Sequence, residues 1–107
     1  MEIVLEGNLL FWGPIEWKLT YVILYNYFMY LYSSKSDIIP RGVIFLEGSS
    51  VASVSSKGNR KDCFQLSTSE KNYYFAVANT EEISKWVTTI NKTIQKMRSS
   101  PKKQQQQ

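Results

Sequence analysis

The side chains best equipped for chemistry in this chain are cations, and they come in short groups. Lys57, Arg60 and Lys61 fall within five residues, around a Gly58-Asn59 pair that permits tight backbone geometry. Lys18 stands alone inside an apolar run, between Trp17 and Leu19. Lys92, Lys96, Arg98, Lys102 and Lys103 crowd the C-terminal end. Ammonium and guanidinium groups form charge-assisted hydrogen bonds to anionic oxygens, and arginine can grip two at once. The complementary chemistry of catalysis is missing. The 107 residues include no histidine, which removes the commonest general base, the serine–histidine and cysteine–histidine pairs and every histidine-containing zinc site. Nine acidic residues are scattered along the chain, with no spacing that advertises a carboxylate pair. Cys63 is the only cysteine, so no intrachain disulfide forms and a cytosolic setting fits; it reads as a small core or surface residue with no role. The expectation is a binding protein with no catalytic residue, no metal and no cofactor.

The location of the charge narrows the partners. Residues 1–91 carry eight bases against nine acids, net −1, and residues 92–107 carry five bases and no acid, net +5. The body is nearly neutral, so a broad basic face for nucleic acid is not expected, and the basic end supports only nonspecific, salt-sensitive contact. The most apolar stretch, Leu19 to Tyr32, spans fourteen residues, short of the roughly 20 that cross a bilayer as a helix. The N-terminus lacks the basic start and long apolar run of a signal peptide. A cytoplasmic monomer, peripheral at a membrane, is the expected setting.

These groups need elements to position them. β-type runs occupy residues 3–12, 17–24, 28–32, 43–46, 51–54, 63–67 and 73–77, separated by turn signals such as Gly13-Pro14, Tyr25-Asn26, Pro40 and Gly48. The run from Trp17 to Leu24 is apolar on both faces. From Thr80 the period changes. Ile83, Trp86, Val87, Ile90, Ile94 and Met97 recur every three or four residues, the stripe of one amphipathic helix. Asn79 is placed to cap it, Glu81 and Glu82 suit its positive end, and Lys96 and Arg98 suit its negative end. Ser99-Ser100-Pro101 stops it. The predicted fold is a mainly β, seven-stranded antiparallel barrel or orthogonal sandwich over residues 1–98, capped by one C-terminal helix with Trp86 as the plug. Residues 99–107 are predicted to be a disordered basic, glutamine-rich tail.

Four segments in order resemble the pleckstrin-homology (PH) domain family, over residues 4–97. Glu6-Gly7-Asn8-Leu9-Leu10-Phe11 is similar to its Gly-x-Leu opening strand, and Trp17-Lys18-Leu19-Thr20-Tyr21-Val22-Ile23-Leu24 to its second strand. Pro40-Arg41-Gly42-Val43-Ile44-Phe45-Leu46 resembles its P-x-G-x-I-x-L segment. Phe64-Gln65-Leu66, Tyr73-Tyr74-Phe75-Ala76 and then Glu81-Glu82 with Trp86 resemble its closing strands and its helix with the family tryptophan.

The resemblance implies a phosphoinositide headgroup site at the open end of the barrel, held by one base near the end of the first strand and two on the second. Here those positions are Phe11, Lys18 and Thr20, and the loop from Trp12 to Glu16 holds an acid and no base. Hydrogen bonds to charged groups are worth about 1.5–3 kcal/mol each, so two missing partners cost roughly 3–6 kcal/mol, or two to four decades of affinity. Weak phosphoinositide or anionic-lipid binding follows. A second family site, between the first loop and the loop joining strands five and six, would use Lys57, Arg60 and Lys61, with Trp12 as a shallow membrane contact. The other reading is a protein–protein adaptor on the same scaffold with no significant lipid binding.

Overall fold

The computed structural model describes residues 3–77 and 79–99. The strands are β1 (Ile3–Trp12), β2 (Trp17–Tyr25), β3 (Phe28–Tyr32), β4 (Gly42–Phe45), β5 (Ser50–Val54), β6 (Cys63–Ser67) and β7 (Asn72–Ala76), followed by α1 (Thr80–Arg98). Each lies within a residue or two of its predicted position. The turn markers explain why: Asn26 and Gly48 adopt left-handed backbone, φ 58° and 76°, which asparagine and glycine tolerate best.

All neighbouring strands are antiparallel, in the order β4-β3-β2-β1-β7-β6-β5. The long strand β1 pairs with β2 along its length and with β7 only at Leu10 and Phe11. One buried core gathers Val22, Leu24, Met29 and Ile44 from one half of the sheet with Phe64, Leu66 and Phe75 from the other, so the sheet folds back on itself. Its two edges, β4 and β5, are joined through residues 46–49 and stay unpaired with each other.

Helix α1 closes one side of this fold, packing on β5, β1 and β6. Asn79 accepts a hydrogen bond from the Glu82 backbone N–H at 3.0 Å, the predicted cap. Ile83, Trp86, Ile90 and Ile94 turn inward, and Trp86 is only 1% exposed. Its ring lies over Gly7 of β1, at ordinary van der Waals distance from where a Cβ would stand. Among the described residues no helix is long and apolar enough to cross a membrane. The predicted tail beyond Ser99 lies outside the described residues.

Candidate functional site

The cleft on the side of the sheet where β2 begins has a volume of about 320 Å³. Three bases line it, each from a different part of the chain: Lys18 near the start of β2, Arg41 just before β4 and Lys71 just before β7. None of the lining residues is acidic. The floor is apolar, with Phe11, Leu31 and Ile44, and Tyr73 forms a side wall. Phe11 is fixed by Phe75, ring centroids 5.2 Å apart, and by Tyr73 at 6.1 Å. Thr20 also lines the cleft; it is buried and donates its hydroxyl to the Lys18 carbonyl at 3.1 Å. Lys71 places its ammonium 4.9 Å from the Tyr73 ring centre. Three cations over an apolar floor, with no acid among the lining residues, give this cleft a positive character.

Sequence reasoning singled out Lys18 and passed over Arg41 and Lys71. No local signal marks them, because each is merely the residue before a strand. Only the register of β3 with β4 and the return of β7 beside β1 bring them to Lys18.

The loops that supply cleft residues also carry exposed aliphatic side chains. Ile15, in the β1–β2 loop, is 83% exposed, and Ile38 and Ile39, in the β3–β4 loop, are 90% and 78% exposed. These two loops carry the cleft residues Gly13, Pro14 and Arg41. Isolated exposed apolar side chains are ordinary, but three on the loops of one basic cleft make a directional feature.

The loop before β6 is built differently. Gly58 and Asn59 both adopt left-handed backbone, φ 55° and 67°, and Lys57 and Arg60 exchange backbone hydrogen bonds of 2.9 and 3.0 Å across them. That is a tight two-residue turn of the mirror-image type. The turn lies on the β1–β2 hairpin. Trp17 Nε1 donates to the Gly58 carbonyl at 3.2 Å, and Trp12 packs edge-on against Trp17 with centroids 5.2 Å apart. Lys57 places its ammonium 4.3 Å from the Tyr74 ring centre and 5.5 Å from that of Trp12, a double cation–π contact. Arg60 is half-buried, its carbonyl accepts from the Cys63 thiol at 3.2 Å, and its Nε is buried with no hydrogen-bond partner among the described residues. Lys61 is exposed. Trp12, expected as a membrane contact, is half-buried under this turn.

A second cleft, about 610 Å³, opens at the far end of β2, between the β2–β3 turn and the last turns of α1. Tyr25, Tyr27, Thr89, Lys92 and Lys96 line it. Among the described residues no cluster of histidine, cysteine and acidic side chains is able to hold a metal ion.

The family model described as the PH domain matches residues 3–95. The chain belongs to the PH domain family. This PH domain is 34% identical over 93 residues to human pleckstrin, an alignment that covers 83% of this chain and 27% of that protein. It is 28% identical over 78 residues to a RAC family serine/threonine-protein kinase homolog of Dictyostelium discoideum, covering 73% of this chain and 18% of the kinase. The chain thus spans about a quarter or less of these relatives. Among solved structures, a solution structure of a pleckstrin homology domain superposes with TM-score 0.80 at 32% identity, covering 92% of this chain and 90% of that one. The C-terminal PH domain of pleckstrin, crystallised with D-myo-Ins(1,2,3,4,5)P5, superposes with TM-score 0.73 at 26% identity, covering 83% and 95%.

Proposed function

We propose that this PH domain is a non-enzymatic recruitment module that docks on anionic membrane, gripping phosphate oxygens of a phosphoinositide headgroup in the cleft of Lys18, Arg41 and Lys71. The observation that carries this reading is the convergence of three bases from three parts of the chain on one cleft with no acid in its walls. Arg41 supplies the planar, two-pronged donor, while Lys18 and Lys71 supply point charges. The relationship to a pleckstrin domain crystallised with an inositol pentakisphosphate supports the same ligand chemistry.

Arg41 and Lys71 compensate in part for Phe11 and Thr20, where the headgroup-binding pattern calls for bases. Ile15, Ile38 and Ile39 enter the interfacial layer beside the cleft, in the role first assigned to Trp12. Trp12 instead anchors the Lys57–Arg60 turn, and Lys57, Arg60 and Lys61 form a secondary cationic surface. Sedimentation with vesicles of phosphatidylcholine, with and without a few per cent of a phosphoinositide, tests the reading. Binding should require the anionic lipid, fall with added salt and fall at least tenfold in Arg41→Glu. Equal binding to both vesicle types at low salt overturns it.

The adaptor reading draws on a separate observation, the outer face of β2, β3 and β4. Tyr25, Phe28, Tyr30, Val43 and Phe45 stand there, where a solvated sheet face usually carries polar residues.

A further inference from the structure

The cleft at the far end of β2, about 610 Å³, is lined by two cations, Lys92 and Lys96, and by no acid among its described residues. The two lysines stand one turn apart on α1, and both are exposed. No residue three or four places from either one is acidic. Like charges at that spacing destabilise a helix. Lys96 gains from the negative end of the helix dipole, but Lys92 lies six residues before Arg98, outside the last turn where that attraction acts. Among the described residues the fold thus leaves a pair of like charges uncompensated at the edge of a cavity.

The other walls are held in place. Asn26 takes left-handed backbone, φ 58°, in the tight turn that sets Tyr25 and Tyr27 at the rim. Thr93 is buried, and its hydroxyl donates to the Thr89 carbonyl at 3.0 Å. Tyr25 belongs to two surfaces. It lines the cleft, and on the outer face of the sheet its ring meets Tyr30, centroids 6.3 Å apart. Tyr30 meets Phe28 at 6.0 Å, and Phe28 stacks on Phe45 at 4.9 Å. A continuous run of rings therefore leads from the cationic cleft across β2, β3 and β4 to the rim, where Phe45 is 47% exposed.

Charge selects the occupant. Every outward position on β2, β3 and β4 is uncharged, and Glu6 of β1 stands opposite Ile23 on the same face. A nucleic acid strand needs cations all along its backbone, and this surface supplies them at one end only. The two clefts stand at opposite ends of β2, so a leaflet gripped at the first is not the occupant of the second. A protein segment with acidic residues followed by apolar ones matches both halves. We propose that the cleft of Lys92 and Lys96, continued by the aromatic outer face, docks a partner-protein segment whose acidic residues precede an apolar stretch. The proposal rests on the adaptor reading of that face and gives it a partner chemistry. Roughly four or five extended residues cover the run of rings. So small a contact is weak and readily reversed.

Fluorescence anisotropy on the whole chain tests the docking. The probe is a short fluorescein-labelled peptide, its first half glutamate and aspartate and its second half leucine and phenylalanine. Binding should saturate with a dissociation constant on the order of 100 μM. It should weaken roughly tenfold in the Lys92→Gln, Lys96→Gln pair and in about 0.5 M sodium chloride. Tyr30→Thr should weaken it about fivefold. Lys92→Glu with Lys96→Glu should lose this peptide and accept a counterpart with lysines in place of its acids. Circular dichroism on every variant separates lost docking from lost folding, and amide resonances should shift at residues 25–30 and 89–96. The absence of saturable binding overturns the proposal, as does tighter binding of an oligothymidylate of the same length. Binding that depends on Tyr30 but ignores the two lysines also overturns it, while leaving the adaptor reading standing. Neither lysine lines the basic cleft, so the Lys92→Gln, Lys96→Gln pair should keep its vesicle binding, and the lipid reading stands or falls separately.

Discussion

The three cations of the basic cleft come from separate places in the chain, Lys18 near the start of β2, Arg41 just before β4 and Lys71 just before β7, and each should be separable by substitution. Replacing Lys18, Arg41 or Lys71 by alanine removes a charged donor worth about 1.5–3 kcal/mol at full engagement. Binding to phosphoinositide vesicles should weaken by roughly tenfold or more in each case, most in Arg41→Ala, with unfolding unchanged. Gly58 offers a contrasting test. A Cβ there would sit 2.3 Å from Trp12 Cζ3 and 2.9 Å from Trp17 Nε1, on backbone at φ 55°. Gly58→Ala combines left-handed strain with overpacking and should cost about 2–4 kcal/mol in urea denaturation. Tyr21 carries a pH signature. Its hydroxyl donates to the Glu6 carboxylate, and that bond, with burial and the nearby negative charge, raises its pKa above the usual tyrosine value. The stabilisation is fully present below about pH 10 and disappears as pH rises through the higher folded value. Tyr21→Phe should flatten the fall of melting temperature above pH 10 relative to the parent. At this scale the sequence was half legible. Lys18 sat in a recognisable strand pattern, whereas Arg41 and Lys71 acquire meaning only from strands that return from 23 and 53 residues away. The Lys57–Lys61 cluster was visible as charge, but its glycine serves to bring the turn down on two tryptophans, a contact that no spacing announces.

Helix α1 was the most readable element, because cap, stripe and dipole residues all agree locally. Trp86→Ala should cost about 3–5 kcal/mol, since the ring fills the space between β1 and the core and leaves a cavity when removed. Asn79→Ala should cost about 1 kcal/mol. Urea midpoints for the two variants should differ accordingly, and near-equal values would mean that Trp86 is not the principal lid. The strands were legible for a different reason. Their turn residues need left-handed backbone or lack a backbone donor, so Asn26, Gly48 and Pro40 punctuate the chain wherever it folds. What the alternation could not reveal was the outer face of β2 and β3, where aromatics replace the polar residues that would have marked it. Cys63 is buried: desolvation raises its pKa, and its thiol donates to the Arg60 carbonyl. It should resist thiol reagents until the domain unfolds.

Across the whole molecule, β2 separates two positively charged ends. Lys18 lines the basic cleft and Tyr25 the cleft beside Lys92 and Lys96. Seven residues of extended strand span about 23 Å, nearly three screening lengths at physiological ionic strength, where one is about 8 Å. A leaflet held at the first end cannot sense the helix cations at the second. Titrating salt against vesicle binding should therefore give the same slope for the parent and for a Lys92→Gln, Lys96→Gln pair, despite a two-unit drop in net charge. Under the proposed docking the domain's overall basicity is a poor gauge of vesicle affinity, and the helix end keeps its positive field for whatever approaches from the aqueous side.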